Sequence, residues 1–296
     1  MKNFKYKTWL IGVSCLMLLA ACSGGGGGGS SGGTGTLLMS ITDAKPKLPA
    51  GATNLFVTFE EVLVHKSGGA WISLPLVETP YTIDLLQFQD GNTTEFVPPT
   101  KLDAGKYTQV RIIVSSATIR FDNGSSIQDE PIEVPSGKLK TDKNFIFDVT
   151  EASAVDIVIH FDLSKSLVVT EPAANPSYKL KPVLHLFGDP LEAATIEGSI
   201  DNASFGTSEQ ATVTVIAESN QEEYTIVEVS KSATDDPTEF SIFWIVPDQS
   251  YTVKIDLDQN DSIDCDQFVE DVDLPEGAVF ELNEGNPIET GIGICS

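Results

Sequence analysis

Basic residues are scarce in this sequence: 18 lysines and arginines stand against 43 aspartates and glutamates, a formal charge of −25 over 296 residues. A chain so acidic is repelled by nucleic-acid phosphates and by anionic lipid headgroups, which argues against both as partners. Histidine is scarcer still, with three residues, and cysteine numbers four. No Cys-x-x-Cys pair, His-Glu-x-x-His helix, phosphate-binding glycine loop or Gly-x-Ser-x-Gly elbow set between strand and helix occurs. Zinc-site, nucleotide and serine-hydrolase chemistry therefore lack their usual carriers. Acids, by contrast, are so abundant that a carboxylate pair for glycoside hydrolysis arises by chance, and no particular pair is informative. Long apolar runs are missing too. Trp9 to Ala21 is shorter than the about 20 residues a membrane-spanning helix needs.

That short apolar run follows Lys2, Lys5 and Lys7, the layout of a secretory signal peptide. It ends in Leu19-Ala20-Ala21-Cys22, which resembles the lipobox of bacterial lipoproteins. The resemblance implies cleavage before Cys22 and acylation of its thiol, palmitate included. A plain signal peptide with a cysteine near its cut site is the alternative. Ser23 and the glycines from Gly24 to Gly29, then Ser30-Ser31-Gly32-Gly33-Thr34-Gly35, favour the lipoprotein, because they offer no core and read as a flexible tether spanning roughly 20 Å. Two or three acyl chains, at about 0.8 kcal/mol per buried CH₂, hold a protein durably on a membrane. Ser23 in place of an aspartate directs the expectation to the outer membrane.

Without residues 1–21 the charge is −28, and it is uneven. Residues 22–192 carry 13 basic and 20 acidic groups, whereas 193–296 carry Lys231 and Lys254 against 23 acids. The change falls beside Gly188-Asp189-Pro190 and marks a domain boundary. Expected units are 1–21 signal, 22–35 lipidated cysteine and tether, 36–190 a first domain and 191–296 an acidic module. Cys15 leaves with the signal and Cys22 takes lipid, so Cys265 and Cys295 remain. In an oxidising envelope that pair reads as a disulfide, worth roughly 3.7 kcal/mol by chain entropy, with free thiols or metal ligands as the other reading.

Period-two alternation dominates. Val155 to Leu163 places apolar residues at every odd position, and Val110, Ile112 and Val114 alternate within Tyr107–Ser115. Further strands are expected at Leu37–Ile41, Leu55–His65, Tyr81–Leu86, Thr118–Phe121, Phe145–Val149 and Tyr178–Phe187. In the acidic half they are expected at Ala194–Ile200, Ala211–Glu218, Glu223–Ser230, Glu239–Val246 and Tyr251–Asp256. Turn residues separate them, and no amphipathic helix stands out. The expected class is all-β, two β-sandwich domains of transthyretin or immunoglobulin type.

Several stretches carry a family resemblance: Gly35-Thr36-Leu37-Leu38-Met39-Ser40-Ile41-Thr42-Asp43-Ala44, Val57 to His65, Trp71, Asp84-Leu85-Leu86, Ala104-Gly105-Lys106-Tyr107-Thr108-Gln109-Val110-Arg111 and Lys181-Pro182-Val183-Leu184. In order and spacing they resemble the domain of unknown function DUF4382 of bacterial lipoproteins, over about 35–187. The resemblance implies a β-sandwich on a lipid anchor and supplies no catalytic residue. Residues 193–296 resemble carboxypeptidase-regulatory-like or transthyretin-like modules, which often carry an Asp-x-Asn-x-Asn-Gly-x-x-Asp turn. Asp261 stands here where that turn has glycine.

The acidic turn is the sharpest candidate site. Asp256, Asp258, Asn260, Ser262, Asp264 and Asp266 offer oxygens at alternating positions, as Ca²⁺ prefers. Gln267 in place of the bidentate glutamate, Asp261 in place of glycine and a strand ahead of the turn rule out an EF-hand. A calcium-binding β-turn and a solvated acidic loop both remain open. His65, His160 and His185 fall in separate strands, where histidine is more often a surface or satisfied core group than a ligand. Trp71, Tyr81 and Phe88 flank turns and offer rings to a sugar, although packing in the core is the commoner use, and Trp244 reads as core. Together these readings describe an envelope lipoprotein that is not an enzyme and binds protein or glycan. A structural subunit of an envelope assembly is the second reading and an enzyme the third. If calcium fills the acidic turn, a hundredfold excess over Kd stabilises the protein by about 2.7 kcal/mol. The melting temperature then rises with calcium, and Asp256→Ala/Asp258→Ala abolishes the rise; no rise with the natural chain retires the site.

Overall fold

The computed structural model describes residues 32–43, 48–135, 138–140, 145–170, 176–189, 191–234, 236–257 and 267–288. Strands come first in chain order as β1 (Thr34–Asp43), β2 (Ala52–Lys66), β3 (Trp71–Leu74), β4 (Tyr81–Asp84), β5 (Thr94–Asp103), β6 (Gly105–Asp122) and β7 (Ile127–Glu133). Then follow β8 (Lys138–Lys140), β9 (Phe147–Val149), β10 (Ala154–Asp162), the one-turn helix α1 (Leu163–Ser166), β11 (Leu167–Thr170), β12 (Ser177–Leu180) and β13 (Val183–Phe187). The acidic part holds β14 (Ala194–Ile200), β15 (Gln210–Ala217), β16 (Glu222–Ser230), β17 (Thr238–Ile245), β18 (Gln249–Asp256), β19 (Gln267–Leu274) and β20 (Val279–Glu281). The fold is all-β.

Four sheets result. One has the order β13-β10-β1-β5, and a larger one runs β11-β12-β7-β6-β2-β3, with β4 on β2 and with β8 and β9 on β6. The acidic part has β17-β14-β20 and β16-β15-β18-β19. Buried apolar side chains form two clusters. One runs from Leu37 to Leu180 and takes residues from both of the first two sheets, such as Met39, Ile159, Phe59 and Ile112. The other runs from Ala194 to Ile288.

Bulges decide which side chains reach these clusters. In β2 the buried positions are Leu55, Val57 and Phe59, then Val62 and Val64. The switch from odd to even falls where the β2–β6 register shifts between Phe59 and Glu61, because one extra residue turns every later side chain over. β6 changes phase in the same way, burying Val110, Ile112 and Val114 and then Ala117 and Ile119. The expected strands Tyr107–Ser115 and Thr118–Phe121 are thus one 18-residue strand. At Tyr81–Leu86 the strand stops at Asp84, whose carboxylate accepts from the Leu86 amide at 3.3 Å and starts a 3-10 turn. Pro182 divides the expected Tyr178–Phe187 strand into β12 and β13. β5 contains Pro98-Pro99 and was not foreseen; as the sheet's edge strand it tolerates the missing donors.

Phe59 is fully buried and meets Phe96 edge-on at 4.9 Å. Phe59→Ala is expected to cost about 3–5 kcal/mol in urea unfolding, whereas Val169→Ser, at a position 49% exposed, stays within about 0.5 kcal/mol. Equal costs at the two positions would contradict the placement of this core.

Candidate functional site

The most unusual chemistry lies where the two clusters meet. The alternation in β10 puts apolar residues at odd positions, yet the even-numbered Val158, His160 and Asp162 are buried as well. The acidic part lies over that face. Register sets His160 directly opposite His185 on β13, with ring centroids 5.9 Å apart. The ladder of rings continues across the boundary: His185 stacks on Tyr224 at 4.7 Å, and Tyr224 meets Tyr251 edge-on at 5.4 Å. Phe187 packs on Trp244 at 5.6 Å.

Local geometry delivers each partner. Asp162 caps α1 by accepting from the Lys165 amide, and the turn places Ser164 and Lys165 at the boundary. Ser164 Oγ lies 3.4 Å from Thr225 Oγ1 and accepts from the Ile226 amide at 3.4 Å, while the Lys165 ammonium donates to the Glu223 carbonyl. On the other side, the β14–β17 register slips between Ala194 and Ile196. Ile242 and Ile245 stay in the core while the intervening Phe243 and Trp244 are turned out, Trp244 with φ +62°. Trp244, expected in the core, is therefore a bulge residue facing the N-terminal part. The Tyr224 hydroxyl braces the bulge, donating to the Trp244 carbonyl at 3.1 Å and accepting from the Val246 amide at 3.3 Å. Phe243 closes on Gly91, where φ is +79° and an added Cβ would lie 3.1 Å from the ring. Thr42 holds that loop through the Phe88 and Asn92 carbonyls.

Polar atoms are sealed here. His160 is 1% exposed. Among the described residues neither of its ring nitrogens has a hydrogen-bond partner, nor do His185 Nε2 and Trp244 Nε1. His160, Asp43, Asp90, Thr225, Ser241 and Trp244 border a cavity of about 20 Å³. The Asp43 carboxylate accepts from the Leu163 amide at 3.1 Å. Burial pushes His160 down to about 3, with His185 adding to the effect. Burial also lowers His185 to about 4, helped by the Lys165 charge. Burial raises the Asp162 carboxyl against the lowering effect of Ser164 and Lys165.

The sequence candidates fare differently. His65 sits apart from the other two histidines, bonded to Thr108 at 3.0 Å and tilted on Trp71 at 5.1 Å. The Arg111 guanidinium covers Trp71 at 4.0 Å, and Tyr81 and Phe88 pack on the first core, so these rings are committed within the protein. Asp256 ends β18 opposite Gln267, the first residue of β19; a strand precedes the acidic turn, as expected. Asp258, Asn260, Ser262, Asp264, Asp266, Cys22, Cys265 and Cys295 lie outside the described residues. Among the described residues no group of three or more His, Cys, Asp or Glu is placed to hold a metal ion. The two histidines are 25 residues apart in sequence, and His185 stands between Val183 and Phe187 on its face of β13, so nothing local marks them as a pair.

Comparison with known proteins gives one firm result. The profile of a domain of unknown function, DUF4382, matches residues 34–182. The chain belongs to this family. No curated protein matches it. A leucine-rich repeat protein from Bacteroides thetaiotaomicron matches among solved structures, with 13% identity and a TM-score of 0.23, over 88% of this chain and 27% of that one. The chain thus spans about a quarter of that protein, and so loose a likeness carries no argument. The DUF4382 match ends before β13, so His160 lies within it and His185 beyond it.

The buried histidines make stability depend on pH. Their folded values lie below the ordinary 6.5, so the unfolded chain takes up protons first. Their contribution is present in full above about 6.5 and is lost as pH falls toward 4 and then 3. Asp162 acts in the opposite sense, since a raised carboxyl weakens the fold once ionised. Urea midpoints are expected to fall between about pH 7 and about pH 4.5, by an unfolding free energy on the order of a few kcal/mol. A flat profile would mean that both rings meet water.

Proposed function

We propose that this chain is a lipid-anchored envelope protein, held at the outer membrane through Cys22, that binds protein or glycan as one rigid body and performs no turnover. The observation that carries this reading is how the chain enters the fold. β1 begins at Thr34, so Thr34 and Gly35, expected in the tether, already belong to the sheet, and the strand lies between β10 and β5 with hydrogen-bonded neighbours on both sides. The Ala104 amide donates to the Gly33 carbonyl at 2.7 Å. An anchor leading into an interior strand holds the whole body, whereas one leading into an edge strand peels more readily. The ring ladder and α1 join the acidic part to that body, so loops at both ends move together.

Non-enzymatic action is supported by the histidines. The pair that would otherwise be offered for acid–base work is sealed beneath the acidic part, with no room for a substrate. The two pairs of sheets are read as two β-sandwiches, the second a transthyretin-like module. Its acidic turn between β18 and β19 is the place for calcium, and Cys265 and Cys295 form the disulfide. In a bacterial host with a lipoprotein pathway, the natural chain is expected to incorporate an alkyne-labelled palmitate and to sediment with membranes, and Cys22→Ser to lose both. Natural chain that stays unlabelled and soluble sinks the reading.

A further inference from the structure

The face shared by β10 and β13 mixes the polar His160, Asp162 and His185 with Val158, Val183 and Phe187, and it is covered. Beneath the cover, two imidazoles stand directly opposite each other across a strand pair, and one of them stacks on a ring from the other part of the protein. Charged and titratable groups approach from every side: Asp43 from β1, Asp162 from the end of β10, Lys165 from α1, Asp90 from the loop before β5, Glu223 and Tyr224 from β16, and Tyr251 behind it. β17 presents Ser241, Phe243 and Trp244, none of which titrates. Asp162 accepts from Ser164 and the Lys165 amide on one oxygen, Oδ1, while its Oδ2 is buried without a hydrogen-bond partner among the described residues, and Asp43 Oδ1 accepts from the Leu163 amide. Lys165, spent on the Glu223 carbonyl, adds a positive charge that opposes another one on His185.

We propose that proton uptake by the His160–His185 pair undocks the acidic C-terminal module from the N-terminal domain, turning one rigid body into two bodies joined at residues 188–193. A buried imidazolium needs an anionic partner or water, and in the closed seam neither His160 ring nitrogen nor His185 Nε2 has a hydrogen-bond partner among the described residues. The opposite face of β10 is locked in the first core through Ile157, Ile159 and Phe161, so water reaches the pair most readily through the seam. The seam is held by ring contacts and a few hydrogen bonds, two of them 3.4 Å long. Each side keeps its own apolar cluster when the seam parts. Interfaces between domains of one chain commonly permit relative motion unless they are large and apolar. Each histidine that regains its ordinary proton affinity on opening multiplies the open population by roughly a hundredfold at about pH 4.5.

Small-angle scattering of the mature chain, followed from about pH 7.5 to about pH 4.5 beside far-UV circular dichroism, tests the idea. The radius of gyration is expected to grow while the sheet signal stays constant. The double variant His160→Phe/His185→Phe, which keeps rings in place but takes up no proton, is expected to remain compact throughout. Expansion of that variant at the same pH as the natural chain overturns the proposal. So does a natural chain that stays compact with both rings protonated by NMR. Should the variant fail to fold, the natural chain decides alone. The resonances of His160 and His185 must titrate with the midpoint of the expansion. Expansion at a different midpoint overturns the proposal equally.

Discussion

Burial of polar groups on a mixed sheet face under a second sheet system is the constraint on which this molecule's shape depends. His160, Asp162 and His185 sit where a sheet that ends a domain would present groups to water, and the acidic part takes that water away. Such burial is costly unless groups are neutral or hydrogen-bonded. The structure meets the condition unevenly. Asp162 is answered on one oxygen only, by Ser164 and the Lys165 amide. The imidazoles are kept neutral instead, and the ring ladder through Tyr224 and Tyr251 replaces hydrogen bonds with apolar contact.

Irregularities in the ladders make that arrangement possible. A bulge is usually described as a defect in pairing, but here each one re-aims side chains. The slip near Glu60 in β2 lets one strand feed the same core along its length despite a change of parity. The slip in β17 does the reverse, taking Phe243 and Trp244 out of their own core and handing them to the neighbouring domain. Gly91 completes the fit, since its positive φ and the closeness of Phe243 both exclude a side chain. The seam is thus built from three local departures from regular structure: a bulge, a one-turn helix and a glycine turn.

Membership in DUF4382 covers the chain from β1 to just past β12. The ring partner of His160 comes from β13, and everything stacked beyond it comes from the acidic part. The chemistry at the seam therefore belongs to the joining of the two parts. Charge follows the same division, since residues 193–296 carry a net −21 of the −28 found beyond residue 21. Lys165 reaching the Glu223 carbonyl is one of few cationic contacts across the boundary among the described residues.

Much of the architecture was legible in the sequence, for a physical reason: a strand with one face in a core must alternate, and that alternation is local. The all-β class, the DUF4382 resemblance and most strands, β2 and β14 through β18 among them, could be read in this way. Where alternation slipped, as at Ser115–Ser116 in β6 or at Phe243–Trp244 in β17, the reading failed, because a bulge looks like an interruption until its partner strand is known. β5 was hidden by Pro98-Pro99, which only an edge position allows. The histidine seam was not legible at all. A polar residue at an outward position reads as solvated, and whether water is there depends on what packs against it. That was settled by tertiary structure alone, when the β17 bulge and the α1 turn brought a second domain over His160 and His185.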